Sequence, residues 1–213
     1  MRLIITGTGR SGTGYCAEVL RACGIRCGHE SVFTPAVALD RQPIDWGDWE
    51  ADCSWLATPV IAKAADAHAV LVTRHPMAVV RSWLELRILD RDDDYTRVIR
   101  RHTPRTMVGA MADRALRHWV SWNLLAAARA DEIIRLEDLD GLRLARWLQL
   151  LDHGHLPISE LSETVTAPRD LNSRPDAKHF IGPLTRTMFD PRLLERANPV
   201  ARMFGYHDWL PPA

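Results

Sequence analysis

Residues 3–15, LIITGTGRSGTGY, decide the fold. Leu3-Ile4-Ile5 is a short apolar run of the buried-strand kind, and Gly7, Gly9 and Gly12 space the loop behind it. From Thr13 to Cys23 apolar side chains recur at Tyr15, Cys16, Val19, Leu20 and Cys23. That is helical periodicity with one buried face, and Gly24 ends it. A strand, a Gly-rich loop and a helix N-terminus together make an anion site. Free backbone N–H groups point inward and the helix dipole adds partial positive charge. The gap from Gly7 to Gly12 fits the GxxxxGK[ST] phosphate loop, but Thr13 stands where the lysine should be. The plain alternative is a tight turn with no ligand. The only lysines are Lys63 and Lys178, so any cation near this loop must be an arginine, and Arg10 lies inside it.

The pattern continues outward. A short second strand is expected at 25–27, followed by Gly28-His29-Glu30. Residues 31–52 read as irregular, and 54–67 as a short helix disturbed by Pro59. A buried strand is expected at 69–72. Pro76 then suits the first turn of a helix carrying Val79, Val80, Trp83 and Leu84. Residues 90–106, DRDDDYTRVIRRHTPRT, are charged and weakly periodic and read as an exposed segment. A long helix follows over 113–129, a strand over 133–136, a loop and helix after it, and a last helix near 190–204 ending at Gly205. Apolar strands alternating with helices imply an α/β domain, a parallel sheet covered on both faces in three layers. At 213 residues and 46% hydrophobic content, one domain over 1–213 is expected. In such sheets ligands sit beyond the carboxyl ends of the strands. Function is therefore expected at 6–14, 28–31, 73–76 and 137–140.

The segment TRHPMAVVRS supplies a second anion site. Arg74 sits at a strand's carboxyl end, and Ser82 lies eight residues later on the helix opened by Pro76. Positions 75, 78 and 82 share a face, so the Ser82 hydroxyl can look back toward Arg74. A guanidinium and a hydroxyl converging there would hold a phosphate. Each residue alone is commonplace; the pair behind a strand is not.

Two such sites on neighbouring strand ends suit a ligand with two separated phosphates. Here TGTGRSGTGY resembles the 5′-phosphosulfate loop of the P-loop sulfotransferases, and VTRHPMAVVRSW resembles their 3′-phosphate segment, eight-residue gap included. HWVSWN, IIRLEDL and the closing MFGY are weaker matches. The resemblance implies 3′-phosphoadenosine 5′-phosphosulfate as sulfuryl donor and no metal. Cytosolic members carry lysine in this loop, whereas the tyrosylprotein type carries arginine, which Arg10 matches. By the same resemblance Gly9, Ser11, Gly12, Thr13 and Gly14 would cradle the 5′-phosphate, Arg74 and Ser82 would hold the 3′-phosphate, and Tyr15 would stack on adenine. Gly14 departs from the usual threonine. IRCGHE resembles the stretch where the tyrosylprotein enzymes keep a glutamate base, which makes Glu30 the first candidate base and His29 the second.

Ser54 and Trp55 are candidates to line an acceptor pocket, with a core tryptophan the plain alternative. The acceptor is expected to be a small molecule, carbohydrate or similar hydroxyl-bearing compound. Two other functions remain open: an ATP-dependent small-molecule kinase, with Glu137 or Asp138 as magnesium ligand, and a nucleotide-binding protein without catalysis. Net charge is zero and the pI about 7.1, so neither nucleic acid nor a membrane surface is expected as partner. The three apolar residues before Thr6 are too few for a signal peptide, which implies a cytoplasmic protein. Cys23, Cys27 and His29 lack an evident fourth zinc ligand. The segment 172–180 with Lys178 is unlike the Gly-rich nucleotide segment of cytosolic sulfotransferases, and its contribution is open.

Overall fold

The computed structural model describes residues 1–153, 156–167 and 182–210; Lys178 and its segment lie outside the described residues. Five strands form one all-parallel sheet: β1 (Arg2–Thr6), β2 (Cys27–Gly28), β3 (Ala51–Cys53), β4 (Ala67–Thr73) and β5 (Glu132–Arg135). Their spatial order is β2-β3-β1-β4-β5. Eight helices are described: α1 (Thr13–Ala22), α2 (Pro35–Ala38), α3 (Pro76–Leu86), α4 (Asp94–His102), α5 (Met111–Ala127), α6 (Gly141–Leu150), α7 (Ile158–Thr166) and α8 (Pro191–Met203).

Alternation along the strands builds two cores. Leu3, Ile5, Val70 and Val72 face one way and meet Cys16, Val19 and Leu20 of α1, Leu144 and Trp147 of α6, and Leu161 of α7. Ile4, Ala69 and Leu71 face the other way, against Val79 and Trp83 of α3, Trp119 and Trp122 of α5, and Ala197 of α8. Strands buried on both faces explain the unbroken apolar runs of β1 and β4. β1 and β4 are direct neighbours, with Thr6 opposite Leu71. The loops after them therefore emerge side by side. Among the described residues no helix is long and apolar enough to cross a membrane.

The structure corrects four local expectations. The second strand is Cys27–Gly28 rather than 25–27, because Ile25 closes the turn after α1 by donating its N–H to Leu20 O. Residues 31–52 contain α2 and the start of β3. β3 is hidden in the sequence because its middle residue is a fully buried Asp52. The helix expected over 54–67 is a 3₁₀ helix over Trp55–Lys63, with Pro59 inside it. The segment 90–106 is not simply an exposed face: it holds α4, with Thr96, Val98 and Ile99 buried.

Candidate functional site

A cavity of about 520 Å³ opens at the carboxyl edge of the sheet. The loop between β1 and α1 forms its floor through Gly9, Arg10, Gly12, Thr13 and Gly14. Gly12 caps α1 at φ 106°, a left-handed conformation, with Leu136 packed where a side chain would project. Arg10 is also left-handed at φ 73°, although it carries a side chain. Its guanidinium and its backbone carbonyl are each held by one contact. Arg10 Nε donates to Ser82 Oγ at 2.9 Å, and Arg74 Nη1 donates to the Arg10 carbonyl at 3.2 Å. Trp83 Nε1 donates to Gly9 O at 2.8 Å and ties α3 to the loop.

Two arginines thus stand together, and among the described residues neither pairs with a carboxylate. Burial, then the Arg74 charge, pull the Arg10 guanidinium below its usual value. An anion placed against them relieves a repulsion already built in. The Ser11 hydroxyl is fully buried and takes no hydrogen bond among the described residues. A side chain on Gly7 would come within 2.5 Å of it, so this hydroxyl lies on the inside of the loop. Ser82 and Ser11 do not line the cavity; Ser82 reaches it through Arg10. Tyr15 lines the cavity, and its hydroxyl donates to the Val165 carbonyl of α7.

His29 and Glu30 line the same cavity. Their loop is set by Asp52 in the middle of β3. Asp52 Oδ1 accepts from Ser31 N–H at 3.1 Å and Oδ2 from Phe33 N–H at 3.0 Å. Gly28 has to be glycine: a Cβ there would sit 2.3 Å from Asp52 Oδ1. Burial pushes the Asp52 carboxyl up, and these backbone donors oppose that shift. The clamp holds Glu30 at φ 57°, the left-handed region again. Glu30 Oε2 accepts from the Tyr95 hydroxyl at 2.8 Å.

The remaining wall was not legible in the sequence. Trp83, Leu86 and Ile88 bring apolar surface, and Arg91, Asp93 and Tyr95 come from the α4 region. Tyr95 stacks on Trp55, with ring centroids 6.0 Å apart and planes 21° off parallel. Trp55 is both wall and core: it lines the cavity, is 6% exposed and packs on Trp83 and Trp122. Ser54 is instead internal, its hydroxyl donating to Phe33 O at 2.8 Å. The one available signal for α4 was Asp93 three residues before Thr96, a reciprocal cap.

Other sequence candidates are occupied elsewhere. Glu137 accepts from His75 N–H at 2.9 Å and from the Tyr206 hydroxyl at 3.0 Å. Asp138 takes both arms of Arg135, at 2.6 and 2.7 Å. The Cys27 sulfur lies 3.5 Å from Cys53 in the sheet. No family model matches the chain, and no curated protein matches it by sequence.

Proposed function

We propose that this chain is a P-loop sulfotransferase moving a sulfuryl group from 3′-phosphoadenosine 5′-phosphosulfate to an acceptor hydroxyl or amine. The observation that carries the reading is the Arg10–Arg74 couple in the same cavity as Glu30; among the described residues neither arginine forms an ion pair, and the Glu85 charge only partly offsets the shift on Arg10. The residues present suit the donor. Gly12, Thr13 and Gly14 open α1 toward the cavity, and two cations sit beside neighbouring strand ends. When bound, the donor supplies an S–O bond whose leaving side is a phosphate.

Arg10 then has two tasks: it holds the 5′-phosphate and stabilises charge on the oxygen released as that bond breaks. Ser82 fixes its guanidinium for the purpose. Arg74 would bind the 3′-phosphate. Glu30 takes the proton of the acceptor hydroxyl as the new O–S bond forms, with His29 beside it on the same loop. The apolar wall of Trp55, Trp83, Leu86 and Ile88 excludes water from the acceptor side. The acceptor belongs to the hydroxyl-bearing small molecules or carbohydrates.

A kinase would require a lysine in the loop and a carboxylate ready for magnesium. Thr13 takes the first place, and Glu137 and Asp138 are both engaged. Calorimetry tests the proposal. Adenosine 3′,5′-bisphosphate should bind without magnesium, and Arg74→Ala should abolish the heat. Magnesium-dependent binding of ATP with no affinity for the bisphosphate would sink the reading.

A further inference from the structure

We propose that Tyr95 of α4 is the positioning residue for Glu30, fixing one carboxylate oxygen so that the other is presented to the acceptor. The proposal rests on the assignment of Glu30 as base. The contact itself is direct: the Tyr95 hydroxyl donates to Glu30 Oε2 at 2.8 Å. Glu30 Oε1 takes no hydrogen bond among the described residues, and Glu30 forms no ion pair there. One oxygen is thus anchored while the other keeps its lone pairs for a proton.

The bond lies at the exposed rim of the cavity, but each partner is anchored on separate buried structure. On the Glu30 side, the Asp52 carboxylate fixes the next backbone N–H groups at Ser31 and Phe33. The left-handed backbone at Glu30, φ 57°, is maintained by that clamp. Strain of this kind persists only where the surroundings over-determine it. On the Tyr95 side, the first turn of α4 is closed by the reciprocal Asp93–Thr96 cap, and Thr96 Oγ1 also donates to Arg91 O at 3.0 Å. The Tyr95 ring lies on Trp55, which packs in turn on Trp83, His118 and Trp122. Pre-organised support of this sort is what holds a reacting group to within a fraction of an ångström.

The chemistry suits a donor and not a second base. Burial, reinforced by the Glu30 charge, pushes the Tyr95 phenol up to about 12. It therefore keeps its proton at neutral pH and can only donate to the carboxylate. His29, the other candidate base, sits on the same loop and takes no hydrogen bond from Tyr95.

The experiment needs no acceptor. The full chain is labelled with carbon-13 at the glutamate side-chain carboxyl, and the Glu30 resonance is identified by its loss in Glu30→Gln. Tyr95→Phe keeps the ring on Trp55 and removes only the donor. At neutral pH the Glu30 carboxyl carbon resonance should then move, because the donor to one of its two oxygens has been removed. An unmoved Glu30 resonance in a folded Tyr95→Phe protein overturns the proposal and leaves Tyr95 as wall alone. A converse measurement guards against a misfolded variant. The Tyr95 ring carbon bearing the hydroxyl, labelled in one of only three tyrosines, should shift in Glu30→Gln; no shift there overturns the proposal as well. Titration of adenosine 3′,5′-bisphosphate into the same samples judges the donor assignment separately. Absence of binding in the unaltered chain counts against the donor without altering the Tyr95–Glu30 result.

Discussion

At the residue scale, two of the five non-glycine residues with positive φ among the described residues are Arg10 and Glu30, the proposed leaving-group cation and the proposed base. A left-handed backbone with a side chain costs about 1–2 kcal/mol. Glycine would suit both positions better and would delete the chemistry at each. Glu30→Gly and Glu30→Ala both lose the carboxylate and the Tyr95 bond, so their difference isolates the backbone. The glycine variant should be more stable than the alanine variant by about 1 kcal/mol, measured by urea unfolding. Equal stabilities would mean that the loop relaxes and stores no strain. Arg10 was legible as a candidate because it is the one cation within the Gly-rich loop TGTGRSGTG. Its left-handed conformation was not, since arginine has no preference for it. Nor was the direction of Ser82, whose helical spacing from His75 aims it toward the loop but does not say which arginine it meets.

At the element scale, β1, α1, β4, α3 and α5 could be read because each keeps an apolar period over a turn or more. α4 could not. Its buried positions, Thr96, Val98 and Ile99, are few and lie among Asp94, Arg97, Arg100, Arg101 and His102, so charge outweighs pattern. Much of that charge is spent in exposed ion pairs: Arg41 and Arg97 with Asp94, and Arg101 and Lys63 with Asp40. Such pairs contribute little individually. The helix is held by its buried face and its cap instead. Ile99→Ala should therefore lower the unfolding free energy by about 2–4 kcal/mol, and Arg100→Ala by less than about 0.5 kcal/mol. Asp93→Ala, which removes the cap, should fall between them at about 1 kcal/mol. If Ile99→Ala behaves like Arg100→Ala in chemical denaturation, α4 is not docked on the core. The stacked Tyr95 would then lose its support as well. β3 escaped notice for a different reason. Three residues with an aspartate in the middle have no apolar signature, and only the fold reveals that the loop amides satisfy that carboxylate.

At the scale of the whole molecule, the tryptophan-rich core beneath the cavity encloses His118, which is fully buried. Its ring packs 4.5 Å from Trp83, 5.0 Å from Trp122 and 5.8 Å from Trp55. Neither ring nitrogen has a protein partner among the described residues. Burial alone pulls His118 down to about 3, against about 6.5 in an unfolded chain. Between those values the unfolded state binds more protons, so stability is full above about pH 6.5 and falls as the pH drops. From pH 6.5 to pH 5 this one group should remove roughly 1.5 kcal/mol. His75, also pulled down mainly by burial, acts in the same direction. Asp52 acts oppositely, because its carboxyl is raised by burial and is easier to protonate folded than unfolded; its contribution is largest below the unfolded value near 4 and declines as the pH rises. The window from pH 5 to 6.5 therefore reports chiefly on the histidines. His118→Leu, similar in volume and without a titrating group, should flatten the dependence of unfolding free energy on pH across that window. Urea unfolding at pH 5.0, 5.8 and 6.5 measures it. An unchanged slope in the variant would place the acid sensitivity elsewhere and mean that His118 reaches protons from solvent. The floor under Trp55 and Trp83, and with it the wall that carries Tyr95, would then be looser than its packing implies.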